Sequence, residues 1–258
     1  MPAFRSQRRM TLIALPAAFA LLATLPAFAN VTQEFHRTVP LSADGSVALS
    51  NINGDVEITG WSRNEVQIDA VKSAPDQQRL DSMQIEVNAG SNSVDIETKY
   101  PNHTNNNPGS VHYTLHVPQG ARIDKVNLVN GSLDVQKLTG EVNASLVNGK
   151  LRASDLVGTA DLATVNGALE ADYTSLNNVR EITLKSVNGS IDLRLPQSPN
   201  AEVSANSVNG GISTDFPLTV KGHFVGKSMS GTLGSGGIKV ELENVNGSIH
   251  IGPGRGSL

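Results

Sequence analysis

The chain has 258 residues, no cysteine, and 17% charged residues with a formal net charge of −4. Without cysteine there is no disulfide framework, no thiolate metal site and no lipid-modified cysteine. The acidic balance argues against a nucleic-acid or anionic-membrane binder, which needs a basic face.

Residues 1–29 read as a secretory signal. Arg5, Arg8 and Arg9 form a positive start, an apolar stretch runs from Met10 to Leu25, and Ala27-Phe28-Ala29 supplies the small-residue cleavage pattern before Asn30. The stretch contains Pro16 and is short of the roughly 20 apolar residues a spanning helix needs, so no transmembrane segment is expected in the mature chain. Removing residues 1–29 leaves 17 basic and 24 acidic residues, hence a formal charge of −7 over 229 residues.

Residues 30–122 carry period-two alternation in several runs, among them Val47/Leu49, Val56/Ile58, Val66/Ile68/Ala70 and Val94/Ile96, each predicting a strand. Ile85/Val87 and Val111/Tyr113/Leu115/Val117 do the same. Ala74 to Asp81 is the one short helical or irregular piece, and Tyr100 to Ser110 reads as a polar loop. This region is expected to cap the repeats that follow or to supply their first coils.

Residues 123–251 repeat. The copies are LVNGSLDV, LVNGKLRA, TVNGALEA, SVNGSIDL, SVNGGIST and NVNGSIHI, with NINGDVEI as an earlier outlier and Met229-Ser230-Gly231 as a degenerate copy. The turn pairs are Asn130-Gly131, Asn148-Gly149, Asn166-Gly167, Asn188-Gly189, Asn209-Gly210 and Asn246-Gly247. Asn-Gly readily adopts positive φ and bends a strand sharply. The apolar columns, starting at Val129, Leu133 and Val135, are expected to face inward, and the column Asp134, Arg152, Glu170, Asp192, Ser213 and His250 outward. A constant spacing of 18 residues, loosening to 22 and 21, favours successive coils stacked on one another over an antiparallel meander. The asparagines are then expected to stack as an amide ladder. Glycines 131, 140, 149, 158 and 167 lie nine apart, which favours a flattened two-sided roll. The predicted fold is therefore all-β: a β-solenoid or β-roll of about 18–22 residues per coil, followed by a tail at 252–258 in which Pro253 is expected to block stacking.

Three stretches carry a family resemblance. SVALSNINGDVEITGWSRNEVQIDAVKSA, VHYTLHVPQGARIDKVNLVNGSLDV and the repeated SVNGSIDL together resemble the bacterial "putative adhesin" domain family of unknown function, over residues 33–251. The resemblance implies a β-solenoid-like, envelope-associated bacterial protein.

The chemistry-bearing residues give little else. His112 and His116 share a strand face but lie too far apart to hold one ion directly, even with His103 in the neighbouring loop. The turns lack the aspartates of calcium-binding nonapeptide rolls. Asp134, Glu170 and Asp192 share a column interrupted by Arg152, which fits a solvated charge ladder better than a glycosidase pair. Ser190, Ser230 and Ser248 have no recognisable His-Asp partners, and the repeat itself generates the Asn-Gly-Ser sequons. No catalytic, cofactor-binding or metal residue is assigned and no cofactor is expected. The expected role is an exported, periplasmic, envelope-associated or secreted non-enzymatic protein that binds or scaffolds, with an envelope glycan or envelope protein as partner. A carbohydrate-active β-helix enzyme and a self-assembling structural protein are the alternatives.

Overall fold

The computed structural model describes residues 30–100, 108–222 and 226–254. Residues 1–29, read in the sequence as a secretory signal, most of the polar loop with His103, and the end of the tail lie outside the described residues. No helix among the described residues is long and apolar enough to cross a membrane.

The chain opens with β1 (Val31–Pro40), β2 (Ser46–Asn53), β3 (Val56–Trp61) and β4 (Glu65–Ala74). A short helix, α1 (Gln77–Ser82), follows; the Asp76 carboxylate caps it by accepting from the backbone N–H of Arg79. Next come β5 (Gln84–Ala89), β6 (Ser93–Lys99) and β7 (Ser110–Pro118).

Around each Asn-Gly the strands then come in pairs. They are β8 (Arg122–Asn130) with β9 (Leu133–Gln136), and β10 (Val142–Asn148) with β11 (Leu151–Leu156). β12 (Ala160–Asn166) precedes β13 (Leu169–Tyr173), and β14 (Glu181–Asn188) precedes β15 (Ile191–Leu195). After β16 (Ala201–Asn209) and β17 (Ile212–Thr214) come β18 (Val220–Gly222) and β19 (Lys227–Leu233). The last pair is β20 (Ile238–Asn246) and β21 (Ile249–Pro253).

These strands form two sheets. One has ten strands in the order β1-β4-β7-β3-β9-β11-β13-β15-β21-β17; the other has eleven, β18-β19-β16-β20-β14-β12-β10-β8-β2-β6-β5. The chain crosses from the second to the first at each Asn-Gly, and the repeat strands pair in parallel with their counterparts one coil away. The result is a β-solenoid-like, two-sided stack with its core between the sheets. Leu133, Leu151, Leu169 and Ile191 align rung on rung and are buried, as are Val126, Ala144, Leu162 and Leu184 in the other sheet. The opposite corner is as tight as the Asn-Gly one: a Cβ on Gly158 would lie 1.9 Å from the Gly140 carbonyl oxygen.

The ends of the stack switch to antiparallel pairing, β1 on β4 on β7 and β5 on β6 at one end, β16 on β19 on β18 at the other. Residues 30–122 are continuous with the repeats, because β3 pairs with both β7 and β9 and β2 with both β6 and β8. Asn53-Gly54, set apart in the sequence as an outlier, is the first rung and stacks on Asn130-Gly131.

Four sequence expectations are corrected here. Met229-Ser230-Gly231 makes no turn; it lies inside β19, paired antiparallel with Val203 to Ala205. The coils do not stack in sequence order, since β20 lies between β14 and β16 and β21 between β15 and β17. For the same reason Pro253 sits beside Leu195 in the penultimate strand of its sheet and does not block the stack's end. The fourth concerns which way the valines face.

Candidate binding ridge

Val129, Val147, Val165, Val187, Val208 and Val245 point outward, together with Ile52 of the first rung; all seven are between 38% and 47% exposed. The inward residue is the one before each valine: Leu128, Leu146, Thr164, Ser186, Ser207 and Asn244, with Asn51 in the first rung. The reason is the bend. Leu146 and Leu151 both face the core although five residues separate them, so the Asn148-Gly149-Lys150 corner consumes an odd residue and inverts the alternation.

Behind the valines this leaves a buried polar column. Asn51 donates to the Val111 carbonyl at 2.8 Å, Asn244 to the Gly189 carbonyl at 2.8 Å, and the Ser207 hydroxyl to the Gly247 carbonyl at 3.3 Å. These side chains satisfy carbonyls of the neighbouring bends. The Thr164 and Ser186 hydroxyls, equally buried, find no partner.

At the corner itself the asparagine side chains form one continuous ladder. Asn130 donates to Asn53, Asn148 to Asn130, Asn166 to Asn148 and Asn188 to Asn166, each at 2.9 Å. The ladder goes on through Asn246 to Asn188 at 2.8 Å and Asn209 to Asn246 at 3.0 Å. The backbone runs in parallel, with the N–H groups of Gly131, Gly149, Gly167, Gly189 and Gly247 each donating at 3.0 Å to the asparagine carbonyl of the next rung. The stacking is close enough to demand glycine: a Cβ on Gly149, Gly167 or Gly189 would fall within 2.0 Å of the carbonyl oxygen of the rung below. Gly210, in the outermost rung, meets the Gly247 oxygen in the same way.

Ridge and ladder together make a continuous strip, seven rungs long. At about 4.8 Å per rung it spans roughly 29 Å. Beside it the groove between Ala163, Val165, Val187, Val245 and Val208 has a volume of about 450 Å³. The strip is nearly free of unpaired charge. Lys185 and Glu243 on its flank pair at 3.1 Å, and Lys150 beyond the ladder pairs with Glu170 at 2.7 Å. Asn53 spends one side-chain N–H on the Gly109 carbonyl and each later ladder amide spends one on its neighbour, so a second N–H remains available for a ligand.

A charged groove lies on the outer face of the ten-stranded sheet. Arg152, Glu170, Asp172, Asp192 and Arg194 line a groove of about 320 Å³. Burial, with help from the Asp155 charge, raises the Asp172 carboxyl above the ordinary range against the opposing pull of Arg194 and Arg152. Arg194 pairs with Asp192 at 3.2 Å, and His250 stands between Asp192 at 3.7 Å and Asp215 at 3.3 Å. Asp134, also in this column, lies opposite Glu57 and Arg152.

His112 lies 3.6 Å from Asp55, whereas His116 stacks on Trp61 at 5.2 Å under a cap of Arg63. The two histidines thus serve different neighbours. His36 hydrogen-bonds Asp69, which lowers that carboxyl below its usual value. Among the described residues no group of three or more His, Cys, Asp or Glu is placed to hold a metal ion.

Comparison with solved structures finds similar chains of low identity. A putative cell adhesion protein of Clostridium sporogenes shares 17% identity, with 86% of this chain and 100% of that one covered at a TM-score of 0.47. A putative adhesin of Bacteroides fragilis shares 15% over 85% and 97% of the two chains, at a TM-score of 0.37. A protein of Parabacteroides distasonis bearing the name putative lipid binding protein shares 13% over 86% and 95%, at 0.33. No curated protein matches the chain. The family model described as Toastrack DUF4097 matches residues 38–252, nearly the whole of the two-sheet stack, and the chain belongs to that family.

Proposed function

We propose that this chain is an exported, adhesin-like protein of the bacterial cell envelope that binds a glycan along the valine–asparagine ridge. One observation carries the reading: seven exposed β-branched side chains in a row beside a hydrogen-bonded amide ladder. Isolated exposed valines need no account, but a contiguous apolar strip on a soluble surface is a mark of a contact site. A sugar ring offers apolar C–H faces to the valines and hydroxyls to the amides, and an extended polymer suits a shallow strip with no deep pocket. The neutrality of the strip favours this ligand over a charged one. Export rests on the signal-like residues 1–29, and the non-enzymatic reading on the lack of a catalytic motif in the sequence.

The test is co-sedimentation of residues 30–258 with purified peptidoglycan sacculi and with outer-membrane fragments. Retention on sacculi that persists in about 1 M salt, where the screening length is about 3 Å, is the expected result. Retention by no fraction, or retention on membrane fragments that protease treatment abolishes, overturns it.

A second reading, a carbohydrate-cleaving enzyme, draws on the charged groove, where the raised Asp172 carboxyl stands one rung from Arg194 beside Asp192. A carboxyl raised by burial beside a second carboxylate is the pattern such catalysis uses. Release of reducing ends from envelope glycan, lost in Asp172→Asn, would establish it.

A further inference from the structure

The coil made by β20 and β21 occupies a slot. β20 pairs in parallel with β14 on one side and β16 on the other, and β21 does the same with β15 and β17. The chain thus builds β16 and β17 first, leaves a gap of one rung, and adds β19 outside β16. It then returns through Gly234-Ser235-Gly236-Gly237 to fill the gap. Gly234, Gly236 and Gly237 have φ of 58°, 75° and 137°, so the return is a glycine hinge.

The two walls of the slot are chemically alike. Asn188 on one wall and Asn209 on the other both bond Asn246, and Val187 and Val208 flank Val245 in the ridge. An incoming coil is held by the same hydrogen bonds and the same register whichever molecule supplies it. The bonds to Asn246 from both walls are the same whichever chain supplies it, so nothing in the walls selects their own chain's coil.

We propose that residues 238–253 are an exchangeable coil: two copies of the chain trade it, each inserting β20 and β21 between β14–β15 and β16–β17 of the other. Every contact of the closed monomer recurs in the exchanged dimer except those of the hinge, which is the condition for domain swapping. Concentration and hinge length then set the balance, and exchange requires opening two parallel ladders, so folded copies interconvert slowly. The dimer presents two complete ridges, each taking one valine and one ladder asparagine from the partner. This follows from the topology alone and holds whatever the ridge binds.

The chain has no cysteine, which makes a clean test available. Thr183 and Glu241 are direct partners across β14 and β20, on half-buried outward positions, and adjacent strands bring Cα atoms within disulfide range. Two full-length mature variants, Thr183→Cys and Glu241→Cys, carrying tags of different size, are unfolded together, refolded at increasing concentration and oxidised. Exchange places the cysteine of one chain against that of the other, so the mixed covalent dimer should dominate and should grow with refolding concentration. Mixing the two variants already folded should give little. Mixed dimer no more abundant after co-refolding than after mixing folded chains overturns the proposal. Independently, deleting Ser235 and Gly236 shortens the hinge and should give dimers by light scattering at concentrations where the parent is monomeric; unchanged size contradicts it.

Discussion

Gly167 shows how little latitude a rung has. Its φ is 153° and a Cβ there would lie 1.9 Å from the Gly149 carbonyl oxygen, so Gly167→Ala must push two rungs apart. We expect a loss of about 3 kcal/mol or more in chemical denaturation, in the class of backbone strain at a special site. Gly211→Ala, with nothing within 4 Å, should leave the midpoint unchanged. The ladder asparagines are exposed and graded by position. Asn166 donates one amide bond and accepts another, so Asn166→Ala should cost about 1–2 kcal/mol, seen as a fall of a few degrees in Tm. Asn209, at the ladder's end, has one such bond and should cost about half as much. Asp69 supplies a pH dependence. Its folded carboxyl is lowered mainly by the His36 hydrogen bond, so its contribution is complete above about pH 4 and disappears as pH falls through the depressed value. The pair is solvent-exposed, so Asp69→Asn should flatten the acid limb of a denaturation-midpoint profile by less than about 1 kcal/mol. Of all this, the Asn-Gly pairs were legible in the sequence because only that dipeptide bends so sharply. The His36–Asp69 pair was not, because 33 residues separate partners brought together by antiparallel pairing of β1 and β4.

At the scale of a strand the sequence was half legible. The columns after the glycine, such as Leu151 and Ala153, face the core as their alternation implies. The column before the asparagine does not, and hydropathy alone could not reveal it: valine stands there in every repeat copy, while the truly inward position reads Leu, Leu, Thr, Ser, Ser, Asn. What inverts the order is the odd-residue corner, a backbone property with no hydrophobic signature. Valine suits the outer position because neighbouring β-branched side chains stack across parallel strands. Because these valines are already partly in water, Val147→Thr should cost less than about 1 kcal/mol. The buried, unpartnered Thr164 hydroxyl makes the opposite prediction. Thr164→Val keeps the shape and removes a desolvated group, and should raise stability by about 1 kcal/mol, read as a higher Tm.

For the whole molecule, an all-β stack with its core between two faces followed from spacing and alternation, and β2 to β7 from period-two runs, whereas β1, whose apolar Val31, Phe35 and Val39 fall four apart, did not. The order of the rungs did not. Each copy offers the same valine, asparagine and glycine to its neighbours, so the sequence contains equally good contacts for β16 on β14 and for β20 on β14; the structure has the second. That near-equivalence is also what the exchangeable coil rests on. The ridge is likewise a property of the assembled stack, since no single rung exposes more than one such side chain, and six valines with Ile52 in register make a strip. Whether this strip is the binding surface is decided by comparing two lysine substitutions. Val165→Lys puts a charge in the middle of the ridge, and Val71→Lys puts the same charge at an equally exposed valine on β4, away from it. Retention of each on peptidoglycan sacculi is measured against the parent, with folding checked by thermal unfolding. The ridge variant should lose retention while the β4 variant keeps it. Equal retention of both would contradict a binding role for the strip.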